Sequence, residues 1–300
     1  MSPDFLVPLL LPVAAWPVAR RAPLPPRAAS WLLAGGALVL ALGSTAALAV
    51  QAAAGLSLVP AVAELGRFSP AAFGGTDVPL STACGLALAG IGFALVRAVV
   101  RYRSWHRRVH AELDAHHREA GFVLLPGAEP VAFAVAGGGG RIAVSSGMLA
   151  ALGPRERRAL LAHERAHLRL RHHRFAAVVT FAATLNPLVR PLATAARFSL
   201  ERWADEAAAD QVGDRRLVAT AVAKAALATA PEPSPALAAT GGPVPRRVLA
   251  LLSPKSGRRS LAVLAAAAVL TVSAGSAATA LDSAADFHTG IEIAQRAGDR

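Results

Sequence analysis

Three apolar runs, at about residues 31–54, 80–100 and 261–281, constrain this chain more than any other feature. A segment needs about 20 consecutive apolar residues to cross a bilayer as a helix, and each run supplies them. A fourth run, at 5–18, is shorter and is interrupted by Pro8, Pro12 and Pro17. The hydrophobic fraction is 54% and the charged fraction only 17%, too little charge for the solvated surface of a soluble domain. The expected fold class is a mainly α membrane protein with about four transmembrane helices.

The basic residues then assign sides. Arg20, Arg21 and Arg27 place the first connection in the cytoplasm, whereas Arg67 against Glu64 and Asp77 leaves the second outside. Arg97, Arg101, Arg103, Arg107 and Arg108 return the chain to the cytoplasm, and Arg246, Arg247, Lys255, Arg258 and Arg259 hold that side before the last span. The net charge of +12 is explained by this topology. With aromatic residues at 5% and no recognition helix in the pattern, no nucleic-acid partner is expected. The single cysteine, Cys84, lies within an apolar run, which excludes an intramolecular disulfide and a thiolate metal cluster.

This divides the chain into a membrane region at 1–100 with three spans, and a small cytoplasmic α+β domain at 101–229. A linker and basic juxtamembrane segment at 230–260, a last transmembrane helix at 261–281 and a short external tail at 282–300 follow. Within the cytoplasmic part, residues 105–119 are charged and helix-like. Two β-type runs at 130–136 and 141–145 flank Gly137, Gly138, Gly139 and Gly140, the pattern of a hairpin. Pro154 marks the first turn of a helix reaching about Arg171, and a second helix covers about 200–229. The apolar stretch at 175–194 has basic residues on both sides and Asn186-Pro187 near its middle. It reads as a hairpin dipping into the membrane or as a buried core helix, not as a single crossing.

His163-Glu164-Arg165-Ala166-His167 has the form H-E-x-x-H. Residues four apart share one face of a helix, so both imidazoles can reach one Zn²⁺ at about 2.0–2.1 Å. Glu164 then stands where a general base can take a proton from water attacking a carbonyl. A structural zinc site closes with four protein ligands, and no partner cysteine exists to close this one. The third ligand has two candidates. His173 has the six-residue spacing from His167 seen in H-E-x-x-H-x-x-G-x-x-H, but Leu170 stands where that motif turns on glycine. His172 and His173 are therefore expected to face solvent or headgroups. Glu201 and Asp205, in Glu201-Arg202-Trp203-Ala204-Asp205, place two carboxylates on one helical face. One suits the metal, and the other suits the second N–H of a ligating imidazole.

H-E-x-x-H followed by E-x-x-x-D resembles the membrane gluzincins, including HtpX-like and CaaX-prenyl-type peptidases. The closer likeness is to the beta-lactam-sensor, antirepressor-type peptidases. It is carried by Ala132-Phe133-Ala134-Val135, Ile142-Ala143-Val144-Ser145-Ser146-Gly147-Met148-Leu149, Asn186-Pro187-Leu188 and Glu201-Arg202-Trp203-Ala204-Asp205, and covers about 105–228. The resemblance implies a zincin-like metallopeptidase domain holding Zn²⁺ through His163, His167 and Glu201. Glu164 would be the base, Asp205 a support, and 132–135 an edge strand that receives substrate. It implies a regulatory endopeptidase acting through zinc-activated water on a protein or peptide substrate, such as a cytoplasmic repressor, from within the cell membrane. The large sensor domain of the drug-sensing members has no counterpart after residue 281, so a stimulus is expected through a partner or the lipid bilayer. The rival readings are an HtpX-like quality-control protease and a non-catalytic scaffold stabilised by metal.

Overall fold

A computed structural model describes residues 6–17, 24–67, 75–116, 118–119, 121–229, 242–253 and 259–298. Its first element, α1 (Leu6–Ala14), is followed by the long helix α2 (Pro26–Leu56) and the short α3 (Pro60–Gly66). Helix α4 (Val78–Asp114) merges the expected third span and the charged helix after it into one continuous rod. Among the described residues, α2 and α4 are the two helices long and apolar enough to cross a membrane. The expected first span is different. At nine residues α1 is roughly 13 Å long, less than half the hydrocarbon core, and it lies against α2 instead.

Helix α2 is the hub. It packs against α4, against the hairpin described below, and against the last helix, α11 (Arg259–Gly298). Small residues make the α2–α11 approach close: a Cβ at Gly36 would sit 2.7 Å from Val269 Cγ1, and one at Gly43 2.4 Å from Ser276 Oγ. The expected span at 261–281 lies within α11. That helix continues to Gly298 rather than ending at 281, and Gln295 donates a hydrogen bond to the Gly66 carbonyl.

The sheet comprises β1 (Arg118–Glu119), β2 (Phe122–Leu125), β3 (Ala132–Val135) and β4 (Arg141–Ser145) in the order β1-β2-β4-β3. β3 and β4 are antiparallel, as the sequence pattern expects, with Phe133 opposite Ala143. All four glycines of the turn have positive φ, from 56° to 103°, a run that side-chain-bearing residues rarely adopt. β2 pairs parallel to β4 and leaves β3 at the edge. Sequence reasoning did not anticipate β1 or β2.

After α5 (Ser146–Ala151) come α6 (Pro154–Arg169), α7 (His172–Leu185), α8 (Arg190–Val212), α9 (Arg215–Thr229) and α10 (Pro243–Leu252). The apolar stretch at 175–194 is a helical hairpin, α7 against α8, bent at Asn186-Pro187 through the 3₁₀ turn Pro187–Val189. Its tip is tied into the membrane-capable bundle: Asn186 Nδ2 donates to Ser44 Oγ (2.8 Å), and Trp16 Nε1 donates to the Leu188 carbonyl. Because the hairpin turns back, its two ends lie together. The single helix expected over 200–229 is two helices, broken at Gly213 (φ 75°) and restarted by Asp214, whose carboxylate caps the Leu217 N–H. The linker expected at 230–260 contains α10, which packs on α9 and α8. Residues 230–241 of that linker lie outside the described residues.

Candidate metal centre

Alanine is what lets the two site-bearing helices meet. α6 buries Ala159, Ala162 and Ala166, and α8 buries Ala196, Ala204 and Ala208, so little side-chain bulk separates the backbones. His163 and His167 lie one turn apart on the α6 face turned to α8, and Glu201 projects from α8 towards them. The His163 and His167 Nε2 atoms are 3.1 Å apart. Glu201 Oε2 is 3.5 Å from His163 Nε2, and its Oε1 is 3.5 Å from His167 Nε2. His163, His167 and Glu201 thus present one donor atom each within a small triangle.

That triangle fits zinc. Ligands at about 2.0–2.1 Å in a tetrahedron stand about 3.3–3.4 Å from one another, close to the 3.1 Å between the two imidazole nitrogens and to the 3.5 Å from each nitrogen to its own Glu201 oxygen. Charge points the same way. Glu164, Glu201 and Asp205 gather round the Arg247 guanidinium, a carboxylate-rich cluster that favours a cation.

The second nitrogen of each imidazole also faces a polar neighbour. His163 Nδ1 lies 3.0 Å from Asp205 Oδ1, and Asp205 is only 1% exposed. His167 Nδ1 lies 3.1 Å from His172 Nδ1. The expectation that His172 faces solvent is therefore overturned: it is 3% exposed, with its ring against Trp203. The cause is Arg171, whose left-handed backbone (φ 55°, ψ 41°) ends α6 and folds His172 back over His167. His173 is exposed on the rim of the cleft and is not in the donor cluster.

Arg247 of α10 went unrecognised in the sequence, where Arg246-Arg247 read as a topology signal. Its Nε and Nη2 donate to Asp205 Oδ2 (2.8 Å) and Oδ1 (2.7 Å), and its Nη1 is 3.0 Å from Glu201 Oε2. Arg215 fastens α10 in turn, donating to the Leu251 and Ala250 carbonyls and to Glu206. The fork geometry of arginine is what allows one side chain to brace two carboxylates.

The electrostatics follow from burial and these pairs. Burial pulls the His163 imidazole down, but the Asp205 and Glu201 carboxylates outweigh it and lift it to about 9. Burial and then the His163 charge push His167 down to about 4. Burial would raise Glu201, yet its hydrogen bond to His163 and that charge hold it at about 2. Glu164, 8% exposed, is raised by burial, which makes it a stronger base than a solvated carboxylate.

The cluster opens on a cleft of about 710 Å³ whose wall includes Ala132, Phe133 and Ala134 of the β3 edge, Glu164, and Pro243 and Val244 of α10. A smaller cavity of about 270 Å³ adjoins it, lined by Leu160, Val218, Ala221 and Val222 and also touching His163 and Glu164.

Residues 101–197 match peptidase family M48. The M48 match covers about a third of the chain and takes in the sheet, the H-E-x-x-H helix and the α7 arm of the hairpin. Of the groups the motifs resemble, it is the HtpX-like one that is matched, a likeness to metal-dependent peptidases confined to residues 101–197. The match ends before Glu201, Asp205 and Arg247, which the fold itself brings to the M48 histidines. No curated protein and no solved structure matches the chain.

Proposed function

We propose that this chain is a membrane-embedded zinc endopeptidase that cleaves a protein or peptide laid in extended form along the β3 edge. One observation carries the reading: His163, His167 and Glu201 each present a donor atom, all within 4.8 Å of one another, with Glu164 beside them in an open cleft. Zinc, when bound, supplies Lewis acidity towards water and a peptide carbonyl. Glu164 takes the proton from the attacking water and passes it to the leaving amine; its burial-raised carboxyl suits both transfers. Asp205 fixes the orientation of His163, and Arg247 keeps Glu201 and Asp205 in register. Among the described residues β3 has an unpaired strand edge facing the cleft, where a substrate backbone would add as a further strand.

The hairpin tip beside Ser44 supports a site seated close to the bilayer, with α2 and α4 as spans. We place the cleft on the cytoplasmic side, from the arginines that follow the apolar part of α4. Two roles suit such an enzyme: regulation through one or a few substrates, such as a repressor, and quality control of many membrane proteins. Comparing the proteome of cells carrying active protein or Glu164→Gln separates these, since quality control leaves many membrane proteins accumulating and a regulatory role leaves one or a few.

The direct test uses purified protein and an unfolded casein. Glu164→Gln should keep its zinc and lose cleavage by about 10²–10⁴-fold, the usual worth of a general base. Undiminished cleavage in that variant refutes the mechanism. A metal-stabilised scaffold would instead show no cleavage in the wild type and unfold on chelation.

A further inference from the structure

The two histidines of the H-E-x-x-H motif are held from behind in different ways. His163 backs onto a carboxylate, Asp205, whereas behind His167 stands a third imidazole. His167 Nε2 faces His163 and Glu201, so it is the nitrogen whose lone pair is available to a cation. Its proton must then sit on Nδ1, and His172 Nδ1, at 3.1 Å, is the atom placed to accept it. Accepting through Nδ1 obliges His172 to carry its own proton on Nε2. That nitrogen is buried and has no hydrogen-bond partner among the described residues. An orphaned buried N–H is costly to a fold, and the geometry at His167 supplies a reason to retain it. The ring is also fixed on its other side, with centroids 5.0 Å from Trp203, which stands 6.0 Å from Phe175.

From this geometry we infer that His172 is a positioning residue for the metal centre: a neutral hydrogen-bond acceptor that fixes the tautomer and orientation of His167. It is not itself one of the three donors to the ion. The left-handed turn at Arg171 exists in this arrangement to deliver it, because an unbroken helix would carry a residue five positions on about 140° away.

The inference rests on the zinc site and does not require that the protein cleave peptides. Its test is zinc affinity, measured by chelator competition on the full-length protein in detergent. His172→Phe keeps a ring of similar size and removes the acceptor; His172→Asn retains an acceptor oxygen near the position of Nδ1. Zinc affinity should fall about 10–100-fold in His172→Phe and stay within about threefold of wild type in His172→Asn. The visible spectrum of the cobalt-substituted protein should change in the first variant only. Equal affinity in His172→Phe and wild type, or an equal loss in both variants, overturns the inference. If His172→Phe does not fold, nitrogen NMR of zinc-loaded wild type decides: His172 must be protonated on Nε2 and His167 on Nδ1, and a proton on His172 Nδ1 overturns it. A wild type that takes up no zinc defeats the proposed function as well, whereas zinc uptake without these effects defeats this inference alone.

Discussion

Removing Arg247 should destabilise the zinc-free protein far more than the loss of a surface charge would. Asp205 is almost fully buried and receives two short hydrogen bonds from Arg247, itself 13% exposed at the side chain. Taking away one member of such a pair leaves a buried charge uncompensated, a loss of about 3–5 kcal/mol. His163 remains 3.0 Å from Asp205, so the lower end applies. Glu201 is more exposed, and its contact with Arg247 adds little after solvent screening. The expected cost of Arg247→Met is therefore about 3 kcal/mol, a factor of roughly 150 in the folding equilibrium. Arg247→Lys, which keeps charge but not the fork, should fall between the two. Trp203 fluorescence during denaturant unfolding in detergent, with Trp16, Trp31 and Trp105 replaced by Phe in every variant compared, reports the change locally. Zinc should recover part of the loss, because the ion neutralises the same carboxylates. In a double-mutant cycle, Arg247→Met should cost much less when Asp205→Asn is already present. A cost below about 0.5 kcal/mol, the scale of ordinary surface substitutions, would refute the assignment of Arg247 to the buried site.

Proton linkage gives a second test. His163 is held at about 9 in the zinc-free site against a reference of 6.5, so its contribution to stability is complete below 6.5 and lost as pH rises through about 9. His167, held near 4, contributes stability present above 6.5 and lost as pH falls through about 4. At pH 7 zinc must therefore displace a proton from His163. Calorimetry in buffers of different ionisation enthalpy should record close to one proton released per ion, and apparent affinity should rise about tenfold per pH unit until about pH 9; no release would contradict the His163–Asp205–Glu201 arrangement. In the membrane region, Gly43→Ala places a methyl against Ser276 and should cost about 1–3 kcal/mol of thermal stability in detergent, whereas Gly35→Ala, which meets open space, should be close to neutral. Equal effects would contradict the α2–α11 packing.

The centre was legible where its logic is local. His163 and His167, like Glu201 and Asp205, are four apart, and helical periodicity alone puts each pair on one face. The glycine run announced the β3–β4 hairpin, and the basic flanks of 175–194 with Asn186-Pro187 announced that this stretch turns back on itself. What could not be read were contacts set by backbone breaks or by distant chain. His172 reaches His167 only because Arg171 adopts a left-handed conformation, unusual for a residue with a side chain. Arg247 meets Asp205 across 42 positions, and its charge was equally consistent with a juxtamembrane role. Gly213 divided one expected helix into two, a turn that becomes decisive only once α9 has α6 and α10 to pack against.

The central claim is that His163, His167 and Glu201 grip one zinc ion. It is tested most directly by counting zinc per chain in purified wild type, Glu201→Ala and Glu164→Ala. One zinc is expected in the wild type and in Glu164→Ala, and none in Glu201→Ala. Retention of zinc by Glu201→Ala, or its loss from Glu164→Ala, would contradict it.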